Sequence, residues 1–78
     1  MDNYPPYAAF QDALGRPLGP YGVFGQVFCR VFSEGLSLIN PNDHTVTLDL
    51  GHSYQTAEGQ RITRLTLSPH SEITLLRA

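Results

Sequence analysis

The stretch VFGQVFCRVF, residues 23–32, decides how this chain must be read. β-Branched and aromatic residues dominate it, which favours a strand over a helix. Along one strand, successive side chains point to opposite faces. Phe24, Gln26, Phe28, Arg30 and Phe32 then share one side, and Val23, Gly25, Val27, Cys29 and Val31 the other. Both sides carry apolar groups, so the strand is expected to be covered twice. The core of a sheet would cover one side, and the N-terminal arm or another subunit the second. Phe24, Val27 and Phe28, together with Tyr7 and Tyr21 of the arm, are therefore the expected interface residues.

Toward the C-terminus the same extended pattern returns. SEG, residues 33–35, reads as a turn, and LSLIN puts Leu36 and Leu38 on one face. TVTLDL, residues 45–50, alternates cleanly, with Val46, Leu48 and Leu50 inward and Thr45, Thr47 and Asp49 outward. GHSYQTAEG is irregular or a short strand around Tyr54. In RITRLTLS, Ile62 is out of phase with Leu65 and Leu67, which indicates a bulge or a late strand start. PHS breaks the chain, and EITLLR closes it with Ile73 and Leu75 inward.

Toward the N-terminus, residues 1–22 hold four of the six prolines, Pro5, Pro6, Pro17 and Pro20, which a central strand could not accept. PPYAAFQDALG suits a short helix, with Pro6 in its first turn, Gly15 past its end, and Phe10 and Leu14 on one face. An extended arm is the alternative. The expected fold class is all-β: a small antiparallel β-sandwich of five to six strands over residues 23–78. A small barrel is compatible with the same pattern. The Pro-rich arm or short helix, residues 1–22, precedes it.

The chain has 78 residues, a formal charge of −2 and 15% charged residues. A domain of this size buries only roughly 60% of the surface its unfolded chain exposes, so self-association or docking on a partner is expected. The five basic residues, Arg16, Arg30, Arg61, Arg64 and Arg77, are scattered, which argues against nucleic acid. No lysine is present to blunt strand edges. Cys29 is the single cysteine, so no internal disulfide forms, and its apolar neighbours make it a small core residue. No apolar run approaches the roughly 20 residues of a membrane span, and a soluble, cytoplasmic protein is expected.

The densest polar segment is INPNDHTVTLDLGH, residues 39–52. Asn40, Pro41, Asn42 and Asp43 suit a hairpin turn, because proline presets a turn angle while Asn and Asp bond nearby amides. Three or four converging ligands would be needed for a metal, and His44, His52 and His70 have no ligand spacing. Glu34, Asp49, Glu58 and Glu72 read as solvated turn or surface carboxylates, with no apolar setting to tune them for acid–base work. No nucleophile elbow is present, and Gly22-x-x-Gly25 lacks the context of a phosphate loop. Arg30 is expected to pair with Glu72 or Asp49, or to lay its stem over apolar surface. Tyr4, Tyr7, Tyr21 and Tyr54 suit interface packing better than sugar stacking, since there is no Trp. No catalytic residue, metal or cofactor is expected.

Five segments in order resemble a known domain: LGRPLGP (14–20), RVFSEGLSLINPNDHTVTLDLG (30–51), YQTAEG (54–59), LTLSPHS (65–71) and ITLLR (73–77). They resemble the C-terminal antiparallel β-domain that follows the (β/α)₈ barrel in several glycoside hydrolase families. The resemblance implies the fold and a face that packs on another domain. It implies no catalytic residue, because the carboxylates of such enzymes lie on the barrel. Three functional expectations follow. The first is a non-catalytic structural or interaction module, with a second copy or a larger catalytic domain as partner. The second is a carbohydrate-binding accessory module, and the third is an enzyme whose site forms only between subunits.

Overall fold

The computed structural model describes residues 13–78. The helix expected within residues 5–15 lies almost wholly outside them, as does Tyr7. The described chain is all-β: β1 (Gly22–Phe24), β2 (Val27–Phe32), β3 (Gly35–Ile39), β4 (Val46–Gln55), β5 (Arg61–Leu67) and β6 (Glu72–Arg77). All pair antiparallel in one sheet, in the order β1-β2-β3-β6-β4-β5.

The two parts of a sandwich are here two halves of a single sheet. β6 and β4 are joined only at Tyr54–Arg77 and Gln55–Leu76. Beyond that short seam the halves turn toward each other. Val27 and Leu38 from one half meet Val46, Leu48, Leu50, Leu65 and Leu67 from the other, with Leu75 of β6 between them, in one buried cluster. The period-2 alternation of β4 explains its share of this core. Val46, Leu48 and Leu50 are buried, while Thr47 and Asp49 are exposed.

Residues 23–32 are not one strand. Phe24 pairs with Val27, leaving Gly25 and Gln26 as a two-residue turn between β1 and β2. Gly25 has φ +62, and Gln26 is not in the left-handed region. Positive φ at the first central residue alone marks a type II′ hairpin, whose twist matches the strands it joins. Only glycine adopts this angle readily. The turn inverts the expected faces: Phe24 shares a side with Val27, Cys29 and Val31, because residues paired across an antiparallel ladder point the same way.

Two further expectations change. Asn40–Asp43 is not a hairpin turn, since β3 and β4 do not pair; the segment carries the chain from one half of the sheet to the other. The irregularity signalled by Ile62 lies on the opposite strand. From Asp49 to Tyr54, β4 uses five steps against two on β5, from Arg64 to Ile62. Gly51, with φ +78, sits inside this bulge and donates its amide to the Asp49 carboxylate at 3.0 Å. The bulge restores Ile62 to the core side, where it packs half-buried.

The last part of the arm belongs to the sheet edge. Pro17 bridges to Phe32, Leu18 donates its amide to Val31, and the amides of Ser33 and Glu34 reach the carbonyls of Arg16 and Leu14. Residues 14–18 and β1 thus lie one after the other along the same side of β2. Between them residues 18–21 face only Arg30 and Val31, so the edge bulges outward at Gly19-Pro20. Among the described residues no helix is long and apolar enough to cross a membrane.

Candidate functional site

The sheet has two edges, and they differ in chemistry. β5 presents Arg61, Thr63, Arg64 and Thr66, all exposed. Charge on an edge strand discourages another strand from pairing there. β1 presents Gly22, Val23 and Phe24, all exposed and uncharged. Every large apolar side chain that is exposed among the described residues lies near this second edge: Leu18, Tyr21, Val23, Phe24, Phe28 and Val31. Val23 is 77% exposed and Leu18 61%. An exposed apolar cluster of this kind is unusual for a monomeric surface.

The expected interface residues fall as follows. Phe24, Phe28 and Tyr21 are exposed at this edge, at 38%, 43% and 43%. Val27 is only 1% exposed and belongs to the core, so it is not an interface residue. Its position after the II′ turn aims it between the halves of the sheet. The shift of phase also sets Val23 beside Phe28, away from Val27, while Val31 keeps the side of Val27 but is exposed nearer the edge. The signal that could have located them is the dipeptide Gly25-Gln26, a II′ turn candidate hidden within an otherwise continuous β pattern.

On the side of the sheet that carries Phe24 and Cys29, a groove of about 400 Å³ opens at the edge. Its walls are Leu18, Pro20, Phe24 and Val31, and its floor is Gly22 and Cys29. A Cβ placed on Gly22 would meet nothing within 4 Å, so the floor is open there. Loss of hydration pushes the Cys29 thiol pKa upward. The neutral thiol is therefore favoured in the folded protein, and alkylation by iodoacetamide at pH 8 is expected to be several-fold slower than in urea. Equal rates would show that the thiol is not desolvated. The sign for stability follows: above the unfolded thiol's pKa the unfolded chain sheds a proton that the folded chain retains, so this group lowers stability as pH rises.

On the opposite side, Arg30 braces the bulge. Its Nε donates to the Gly19 carbonyl at 2.9 Å, and its guanidinium centre lies 6.0 Å from the Tyr21 ring and 5.6 Å from the Phe32 ring. It makes no ion pair with Glu72 or Asp49. The stem-covering expectation is the nearer one, with a backbone carbonyl as the partner. Tyr54 packs against the core cluster instead of joining the other aromatic rings.

The polar segment at the crossover is structural. Asn40 is fully buried, and its Nδ2 donates to the carbonyls of His44, Leu67 and Ser68. Its Oδ1 accepts from the amide and side chain of Asn42. His44 reaches Gln26 at 3.1 Å and lies 3.9 Å from Asp43. Among the described residues no three His, Cys, Asp or Glu side chains converge as a metal site would require. A second cleft of about 420 Å³, at the β4 bulge, is lined by His52, Ser53, Tyr54, Arg77 and Ala78. Its His52 and Arg77 are exposed, so it holds no desolvated charge. Comparison of the chain with protein-family models, with curated proteins and with solved structures returns no match.

Proposed function

We propose that this chain is a non-catalytic interaction module that associates through the β1–β2 edge. The observation that carries the proposal is the collection, among the described residues, of all six exposed large apolar side chains near the edge formed by the uncharged β1, opposite an edge guarded by Arg61 and Arg64. Fully exposed side chains of this size present on the order of 150–250 Å² each, so the six exposures add to roughly 600 Å² per copy. Covered in two copies, that is about 1,200 Å², at the lower end of specific interfaces. The association is therefore expected to be concentration-dependent rather than permanent.

The test is the solution mass, by size-exclusion chromatography with light scattering over a concentration series. The wild type is expected to shift from monomer toward dimer as concentration rises. Phe28→Asp, which places a charge in the apolar cluster, is expected to remain monomeric with an unchanged circular dichroism spectrum. A wild-type chain that stays monomeric up to millimolar concentration would overturn the proposal. The carbohydrate reading draws no support from the described tyrosines: Tyr21 lies against Arg30 and Tyr54 against the core, so they form no common platform.

A further inference from the structure

The interaction module proposed above leaves open what the edge binds and how. The geometry points to a second copy of this chain, added strand to strand as β1 against β1 about a two-fold axis at Val23. This inference rests on that reading and deepens it.

The backbone dictates the register. In a two-residue hairpin the residues flanking the turn exchange both hydrogen bonds, and the next pair exchanges none. Phe24–Val27 is the flanking pair here, and Val23–Phe28 the next. The N–H and C=O of Val23 therefore point away from β2, to the free edge. Gly22 turns its own groups inward to Cys29. Upstream, the same edge is interrupted by the outward bulge at Gly19-Pro20 and by Pro17, which has no N–H to offer. Downstream it ends at the turn. Only Gly22–Phe24 can accept another strand, and Val23 is its centre.

A two-fold axis at that centre is self-complementary: Val23 N–H meets the carbonyl of Val23 in the second copy, and the reverse. Gly22 of one copy then lies opposite Phe24 of the other, so the Phe24 side chain projects on the side where Gly22 has none. That side is where the groove over Gly22 and Cys29 opens, between Leu18, Pro20 and Val31. The Phe24 ring of each copy thus enters the other's groove, above a glycine whose missing side chain leaves the room. One arrangement accounts for the free Val23 backbone, the exposed Phe24, the open floor at Gly22 and the absence of charge. Pairing β1 with β5 of another copy would instead run head to tail, and would set Arg61 and Arg64 beside an edge with no carboxylate to meet them.

The experiment compares Val23→Pro with Val23→Ala in the light-scattering series. Proline removes the outward N–H, which bonds nothing among the described residues, whereas alanine keeps it. Val23→Pro is expected to be a folded monomer and Val23→Ala to retain the dimer. Phe24→Ala is expected to weaken the dimer at least tenfold and to make Cys29 alkylation independent of concentration. Because proline could disturb the hairpin, exchange of the Val23 amide is followed in the wild type as well. It should slow as concentration rises, and an unchanged rate would overturn strand addition. A dimer that survives Val23→Pro, or that Val23→Ala and Val23→Pro abolish equally, would also overturn it while leaving the wider apolar interface standing. A wild type that never dimerises would overturn both.

Discussion

Asn40→Ala is expected to lower the unfolding free energy by about 3 kcal/mol, a large part of the roughly 5 kcal/mol that a small domain commands. Among the described residues, the largest fully buried side chains are Leu38, Leu75, Val27 and Asn40, of which Asn40 alone is polar. Its two amide protons serve the carbonyls of His44, Leu67 and Ser68 at 3.0, 3.2 and 3.0 Å. Those carbonyls belong to the crossover and to the end of β5, while Asn40 itself follows β3. Its amide N–H also reaches Ser71, ahead of β6. One side chain therefore ties the two halves of the sheet together at the end away from the Tyr54–Arg77 seam. Alanine takes this donor from all three carbonyls, leaving Ser68 only its bond from the Ser71 hydroxyl, and opens a cavity.

Asn40→Asp tests the direction of those bonds. It is nearly isosteric but sets a carboxylate oxygen against carbonyl oxygens. The carboxyl pKa of the variant rises in the folded state, so its destabilisation is smallest in acid and grows as pH passes upward through the unfolded carboxyl's pKa. Urea denaturation of both variants at pH 4 and pH 7 measures this. A loss below about 1 kcal/mol for Asn40→Ala would show that water replaces the amide without difficulty, and that the tie is not needed.

Gly35→Ala is expected to destabilise by a similar amount, about 3 kcal/mol, from the opposite cause. Gly35 is buried where β3 leaves the β2–β3 turn and pairs with Leu76 of β6. A Cβ there would collide with the Leu75 carbonyl oxygen, and would lie 2.9 Å from Leu14 Cδ2 and 3.0 Å from Leu76 Cα. A flexible leucine end can move, but a paired backbone cannot. The double variant Gly35→Ala/Leu14→Ala is therefore expected to recover little. Full recovery, read from urea midpoints, would show that the leucine alone made the fit tight. The same contact shows why residues 14–18 are held to the sheet: Leu14, only 6% exposed, packs over Gly35, a β3 position that lacks a side chain.

Much of this was legible along the chain. The strict alternation in TVTLDL is a two-residue period, and a strand with one buried face follows from it without tertiary information. The β character of residues 23–32 and the punctuation at SEG and PHS followed in the same way, from side-chain shape and turn chemistry. All-β class was thus a local property, whereas the division of residues 23–32 into two strands was not. Tertiary structure decided the rest, because pairing is not local. Whether NPND joins neighbours or crosses between halves depends on which strands find β3 and β4, and Asn40 became a buried tie only when Leu67 and Ser68 arrived beside it. The phase of β1 against β2 hung on a single backbone angle at Gly25, and a one-residue change of phase moves a side chain to the other face. It sent Val27 to the core and left Val23 at the open edge, so the residues of the candidate interface were settled by a turn that the surrounding β pattern concealed.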